Sequence, residues 1–186
     1  MINNLGKEKL ISIYRTLGYK AIGMVGVEGV KIVENILVIP RIVINDIKKF
    51  KPSESYLVAY KPSKKEYARR AGKVKRVSTI LFDGSNIELC DDEQVEVMKR
   101  GSAALELLLR PLLDSNALPK YLFMMRKCLE LAHREGIDIV ISSGARSLEE
   151  LWPPGTIWAL GSMIGFRDMA SNWVEVLRRW RPGLHL

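Results

Sequence analysis

Apolar and polar positions alternate along the chain in two rhythms, one typical of helices and one of strands. Apolar residues three and four apart from Lys7 to Leu17 predict an amphipathic helix, which Gly18 ends. Short runs rich in Ile, Val and Leu predict strands within residues 19–26, 35–46, 55–62, 75–84 and 137–142. The segment 104–113 fits a strand or a helix equally well. Pro40 lies inside the second run and predicts a bulge or an edge strand, because proline cannot donate to a sheet ladder.

Helical patterns separate most of these strands. The clearest extends from Leu118 to Glu135, with Pro119 in its first turn and Gly136 after its end. Further helices are expected at 63–73, 157–164 and 169–180. Strands that alternate with helices predict a parallel α/β sheet, either a barrel or a doubly wound sheet. No composition break marks a linker, so residues 1–186 are expected to form a single domain.

The stretch "IVISSGARSLEEL" (139–151) joins the last predicted strand to a polar edge. Ser147 and Glu150 have capping-box spacing and predict the start of a helix. Ser142, Ser143 and Arg146 then remain without a structural role. They lie where α/β barrels place ligand groups, at the carboxyl end of a parallel strand, so ligand contact and turn structure both stay open.

Residues for independent catalysis are scarce. The strand-end serines lack the Gly-x-Ser-x-Gly pattern, and no phosphate-binding glycine loop follows a strand. His133 and His185 have no partner at metal-ligand spacing. Asp91 and Asp92 are interpreted as helix caps. We therefore predict no cofactor, no metal site and no catalytic residue.

Cellular context follows from three absences in the sequence. The apolar runs are much shorter than the roughly 20 residues that span a bilayer. The N-terminus does not resemble a signal peptide, so a cytoplasmic protein without membrane contact is expected. Cys90 and Cys128 have no metal-site spacing and are expected to be reduced, buried thiols.

Positive charge is the main functional signal. The chain carries 29 Lys and Arg against 21 Asp and Glu, a formal net charge of +8. Such an excess suits a polyanionic partner. One cluster surrounds the predicted helix at 63–73, with Tyr60 and Tyr67 interleaved, and Lys65, Arg69 and Lys73 recur there every four residues. The spacing predicts one positive helix face that could follow a phosphate backbone.

Two groups of basic residues are therefore predicted to contact a nucleic acid, either RNA or DNA. The first comprises Lys61, Lys65, Arg69, Arg70, Lys73, Lys75 and Arg76. The second comprises Arg178 and Arg179, beside Trp180, whose ring could belong to the core, to a protein interface or to a stacking surface.

Three segments together resemble a known family. The stretches "YLVAYKPSKKEYARRAGKVKRVSTILF", "ALELLLRPLL" and "IVISSGARSLEELWPPGTIWALGSMIGF" are similar, in order and spacing, to protein component 3 of archaeal ribonuclease P. The resemblance extends from about Leu17 to Phe166. It implies a TIM-barrel-like, somewhat irregular fold and a non-catalytic subunit of an endoribonuclease whose RNA removes the 5′ leader from precursor tRNA.

The resemblance also implies partners and RNA contacts. The expected partners are the ribonuclease P RNA, protein component 2, other protein subunits and, indirectly, precursor tRNA. Lys61, Arg69, Arg70 and Arg76 match basic positions of the family, and residues 142–145 match its strand-end motif. With RNA as the nucleic acid that the family binds, both basic groups are predicted RNA contacts, and so are Ser142, Ser143 and Arg146 at the strand end. Phe82 and Asp83 stand where relatives tend to have histidine and proline, so the barrel rim is expected to differ.

Two other functions stay open at this stage. A barrel phosphoesterase or small metabolic enzyme would hold a substrate phosphate on Ser142, Ser143 and Arg146. A protein scaffold would contact only other subunits.

Overall fold

The computed structural model describes residues 7–48, 55–74, 76–114, 116, 118–165 and 172–183. Its strands are β1 (Ala21–Val25), β2 (Lys31–Val33), β3 (Ile36–Ile44), β4 (Leu57–Tyr60), β5 (Thr79–Phe82), β6 (Ala104–Leu108) and β7 (Ile139–Ser142). Its α-helices are α1 (Lys7–Thr16), α2 (Lys65–Ala71), α3 (Asp92–Lys99), α4 (Leu118–Arg134), α5 (Pro154–Met163) and α6 (Asn172–Trp180). Short 3-10 helices cover Ile87–Leu89 and Arg110–Leu113.

Six of the strands form a parallel series in the order β1-β3-β4-β5-β6-β7, and β2 pairs antiparallel with β3. Helical crossovers connect β4 to β5, β5 to β6 and β6 to β7. β1 and β7 are the ends of the series, so the curved sheet is an open half-barrel. The hydroxyl of Tyr19, just before β1, donates to the carbonyl of Trp152 beyond β7 and links the two ends. The predicted irregular TIM-barrel-like α/β fold is confirmed.

The two faces of the sheet are covered by different helices, since successive strand residues point to opposite faces. Val58, Ile80 and Leu105 belong to the main core cluster, which also includes residues of α3 and α4. Their neighbours Leu57 and Ala104 pack on the other face against a cluster contributed by α6. The C-terminal helix α6 therefore fills the inside of the half-barrel.

The predicted end of the first helix is confirmed. Gly18 adopts a φ of +91°, a conformation that favours glycine. The amide of Gly18 donates to the carbonyl of Arg15 (2.9 Å), and the amide of Tyr19 donates to that of Tyr14 (3.1 Å). These two hydrogen bonds define a Schellman motif, which satisfies carbonyls at the helix end.

The prediction of a bulge at Pro40 is wrong, and the predicted edge exists only locally, on one side of the strand. β3 is an interior strand, and its register with β1 continues through Pro40, which lies opposite Met24. On the other side, β2 pairs with residues 36–38 and β4 with residues 41–44. Pro40 falls in the gap between these two partners, where no neighbouring strand needs its missing N–H.

The structure shows which element the ambiguous segment 104–113 forms, and it differs from the prediction for the segment after β7. Residues 104–108 form β6, and a 3-10 helix follows at Arg110–Leu113. The predicted glycine turn is present, because Gly144 has a φ of +63°. The predicted capped helix at Ser147 is wrong, since the next helix begins at Pro154. The Glu150 carboxylate instead accepts a hydrogen bond from the backbone N–H of Arg146 (2.7 Å) and closes a loop.

The prediction of two reduced thiols is also wrong. Cys90 and Cys128 form a disulfide, with their Cα atoms 5.8 Å apart. Both are buried in the main core, as expected. Cys90 lies just before α3 and Cys128 lies within α4, so packing brings together two residues 38 positions apart. Among the described helices, none is long and apolar enough to cross a membrane.

Candidate nucleic-acid interface

The α2 helix does not present the continuous positive face that its spacing predicted. It ends at Ala71, so Lys73 lies beyond it. Arg69 donates to Asp91 (2.6 Å) and Glu93 (3.1 Å) at the start of α3, and the Lys65 ammonium lies 3.3 Å from Asp91. The acidic start of α3 therefore neutralises this side of α2.

Arg69 is a packing residue in this arrangement. Its side chain is 14% exposed, and it also donates to the buried Gln94 (2.9 Å). Burial would lower the pKa of Arg69, but its hydrogen bonds to Glu93 and Asp91 outweigh burial and raise that pKa. Burial would likewise raise the pKa of Asp91, which hydrogen bonds from the Gln94 amide and Arg69 keep below its usual value. Asp91 is the N-cap of α3, as predicted.

Another set of cations stays exposed. Within the described part of the chain, no acidic side chain forms an ion pair with Lys64, Arg70, Lys73 or Arg76. Lys75 lies outside the described residues. Solvated, unpaired cations can release counterions from a nucleic acid at little desolvation cost. These side chains therefore form the available basic surface around α2.

Lys61 is paired, at the carboxyl end of β4. Its ammonium lies 2.6 Å from Asp83, at the carboxyl end of β5. Burial would raise the pKa of Asp83, but hydrogen bonds from Lys61 and Ser85 outweigh it and lower that pKa. Phe82 is fully buried. Phe82 is thus a core side chain, and Asp83 is the ion-pair partner of Lys61.

The second basic cluster lies at the end of α6. Arg179 pairs with Asp138, and Arg178 lies 3.7 Å from Glu175 on the same helix. Arg181 is exposed. The ring of Trp180 packs in the inner-face cluster, and its indole N–H donates to the carbonyl of Tyr56 (2.9 Å). Trp180 is thus a half-buried residue whose ring packs against the inner core.

Residues of both basic clusters border the amino-terminal edge of the parallel strands. Trp180 contacts Tyr56, the residue before β4. Ser78, the residue before β5, donates its amide to Val58 of β4 (2.9 Å). Arg76 is two positions earlier, in the turn that leads into β5, and so borders the same edge. Residues about 100 positions apart in sequence therefore border the same edge.

The strand-end serines lie at the opposite edge and are already hydrogen-bonded. Ser142 donates to the Glu106 carboxylate (2.5 Å), and Ser143 accepts from the Ala145 amide (3.3 Å). Arg146 is exposed, and its backbone N–H is the main cause of the lowered pKa of Glu150. The structure thus separates Ser142, Ser143 and Arg146 from the basic amino-terminal edge.

A buried polar network inside the half-barrel was not predicted. Glu106 of β6 is fully buried and accepts two hydrogen bonds from Arg41 of β3 (2.5 and 2.6 Å) and one from Thr79 of β5 (2.6 Å). The Arg41 guanidinium also lies 5.9 Å from the ring centre of Trp173 on α6. The sequence did contain a signal for this network, because one acidic and one basic residue stand inside otherwise apolar strand runs.

Within the ranges that the structure describes, no group of three or more His, Cys, Asp or Glu side chains could hold a metal ion.

Comparison with known proteins supports the family resemblance. The chain is 33% identical over 125 residues to ribonuclease P protein component 3 of Aeropyrum pernix, an alignment that covers 65% of this chain. It spans about three fifths, 59%, of that relative's length. A chain in the cryo-EM structure of archaeal ribonuclease P with mature tRNA superposes with a TM-score of 0.74 and 16% identity, over 95% of this chain and 87% of that one. No family model matches. The resemblance inferred from the sequence is confirmed.

Proposed function

We propose that this chain is a non-catalytic protein subunit of ribonuclease P and supports the catalytic RNA in removing the 5′ leader from precursor tRNA. The similarity to the Aeropyrum pernix component carries the proposal. In it, the chain acts in the cytoplasm together with component 2 and other protein subunits. The ribonuclease P RNA is its direct nucleic-acid partner, and precursor tRNA is contacted indirectly.

The unpaired cations give this role a physical basis. Arg70, Lys73 and Arg76 are exposed near α2, and Arg181 is exposed at the neighbouring end of α6. Of the other predicted contacts, Lys61, Lys65 and Arg179 are held by carboxylates and would have to exchange an existing partner for a phosphate. We therefore expect the amino-terminal edge to supply most of the RNA affinity.

The phosphoesterase alternative has less support from the site. A substrate phosphate at the strand ends would need the Ser142 hydroxyl as a donor, but Glu106 already accepts its hydrogen. The phosphate would also approach that buried carboxylate, although Arg41 neutralises it. Hydrolysis of a generic phosphoester by the purified chain would favour this alternative.

Reconstitution tests the proposal directly. The ribonuclease P RNA of the same organism and component 2 would be assembled with and without this chain, and precursor-tRNA cleavage would be measured in single-turnover reactions. The chain is expected to raise the cleavage rate or lower the Mg²⁺ requirement. No gain in either quantity would contradict the proposed function.

Substitution of Arg76 and Arg181 by alanine tests whether the exposed cations near the amino-terminal edge contact RNA. Loss of two phosphate contacts should reduce the slope of log K against log salt concentration by roughly 1.4 to 1.8. Arg126→Ala is the matched control, because Arg126 is exposed on α4 but pairs with Glu130 at 2.9 Å. An unchanged slope in the double variant would place the RNA surface elsewhere.

A further inference from the structure

Tyr67 stands apart from the other aromatic side chains in its surroundings. It lies on α2 and is 41% exposed, whereas Tyr60, the other tyrosine of the basic segment, is buried. The other large exposed aromatic side chains in the described ranges are Phe123 and Trp158. Trp158 belongs to α5, a helix without charged residues. Phe123 lies on α4 between Lys120 and Arg126, three residues to either side, and both are paired with carboxylates. Among these three exposed rings, Tyr67 is therefore the one with unpaired cations three residues to either side.

Two cations lie within three residues of Tyr67, one before it and one after it. Arg70 follows Tyr67 by three residues on α2, a spacing that makes side chains neighbours on a helix. Lys64 is the N-cap residue of α2, three positions before Tyr67, and its backbone is extended. Both are exposed and form no ion pair within the described residues. Glu66 is also exposed, four positions before Arg70, but the two are not paired. The charge around the Tyr67 ring is therefore free to meet a polyanion.

The α3 side of the helix explains why this flank remains free. Lys65 and Arg69 point toward Asp91 and take up the acidic start of α3. Ala68 and Ala71 are buried beneath the helix. The helix thus has a neutralised side, a buried side and a third side that carries Tyr67 and Arg70.

We propose that Lys64, Tyr67 and Arg70 form a site for an unpaired nucleotide of RNA, in which the base stacks on the Tyr67 ring and the two cations contact flanking phosphates. This inference rests on the proposed RNA-binding function. Unpaired bases stack on aromatic side chains, whereas bases in a duplex are already stacked on one another. A stacking site therefore distinguishes single-stranded RNA from duplex RNA, which the cations alone cannot do.

The test uses a short single-stranded oligoadenylate and a blunt duplex of equal length as probes, with affinity measured by fluorescence anisotropy across a salt series. Tyr67→Ala should weaken single-strand binding by about 5- to 100-fold and leave its salt slope unchanged, because stacking is not an ionic contact. Tyr67→Phe should bind within about twofold of the original chain, since it keeps the ring. Arg70→Ala should lower the single-strand slope by about 0.7.

Trp158→Ala is the control for loss of an exposed ring, since Trp158 is 58% exposed on the uncharged α5. It should leave both affinities unchanged, and thermal unfolding should show that each variant is folded. Unaltered single-strand affinity in Tyr67→Ala would overturn the inference but leave the proposed function intact. If Tyr67→Ala weakened the affinity for the single strand and for the duplex equally, the inference would also be overturned. If the original chain bound neither probe, the inference would be overturned. The proposed function would be tested separately, by precursor-tRNA cleavage in the reconstituted complex.

Discussion

Glu106 provides a stringent test of how the half-barrel is held together, because it is a fully buried carboxylate with three side-chain partners. In Glu106→Leu, the Arg41 guanidinium loses its counter-charge, and the hydroxyls of Thr79 and Ser142 lose an acceptor. Breaking a buried ion pair by removing one partner costs about 3–5 kcal/mol. With a urea m-value of about 2 kcal/mol/M, the unfolding midpoint should fall by about 2 M.

The double variant separates the charge from the packing. Arg41→Met combined with Glu106→Leu replaces both charges by apolar groups, so no buried charge remains without a partner. Such replacements are often neutral or stabilising, and the double variant should be more stable than Glu106→Leu alone. Urea unfolding followed by circular dichroism, analysed as a double-mutant cycle, measures the coupling between the two residues.

The control for this cycle is Glu130→Gln, which removes an exposed ion pair with Arg126 on α4. It should cost only about 0.2–0.5 kcal/mol. A cost of less than about 1 kcal/mol for Glu106→Leu would refute the reasoning, because water would then be replacing the lost partners.

Three further predictions concern paired residues. Lys61→Met should lower the free energy of unfolding by about 1 kcal/mol near neutral pH. In urea titrations this loss should shrink below about pH 4, because the ion pair stabilises the fold fully above the unfolded pKa of Asp83 and stops doing so as the pH falls through its lower folded pKa. A pH-independent loss would contradict this. Intact-mass measurement without reductant should find the chain two hydrogens lighter than its thiol form, and Cys128→Ser, which opens the bridge to Cys90, should cost roughly 3–4 kcal/mol; free thiols in the unreduced chain would contradict it. Arg69→Ala should lower the unfolding free energy by about 1–3 kcal/mol without changing the salt slope of RNA binding; a smaller slope would instead identify a phosphate contact.

The charged side chains are distributed differently at the two edges of the sheet. Barrel enzymes use the carboxyl ends of their strands as the active site. Here that edge is occupied by pairs within the chain, such as Lys61 with Asp83 and Arg110 with Glu150. Arg76 and Arg181, which are exposed and unpaired among the described residues, lie instead near the amino-terminal edge, and Arg146 is the exposed arginine at the carboxyl edge. This distribution of charge supports the proposed RNA-binding role over the phosphoesterase alternative.

Much of the fold followed from local pattern. The helix ending at Gly18, the strands around β4, β5 and β7, and the long helix α4 all lie where periodicity predicted them. Errors arose where a local signal depended on a distant partner. The spacing of Ser147 and Glu150 fits a capping box, but Glu150 also receives a hydrogen bond from Arg110, and the chain forms a loop.

Residue types and short-range spacing are enough to predict the order of the elements, the positive net charge and the family resemblance. Which cations are available depends on the folded chain. Arg69 and Arg70 are adjacent in sequence, yet α3 neutralises the first and leaves the second exposed. The same holds for Arg41 and Glu106, since their pairing across the sheet interior depends on strand order and curvature, which no local pattern encodes.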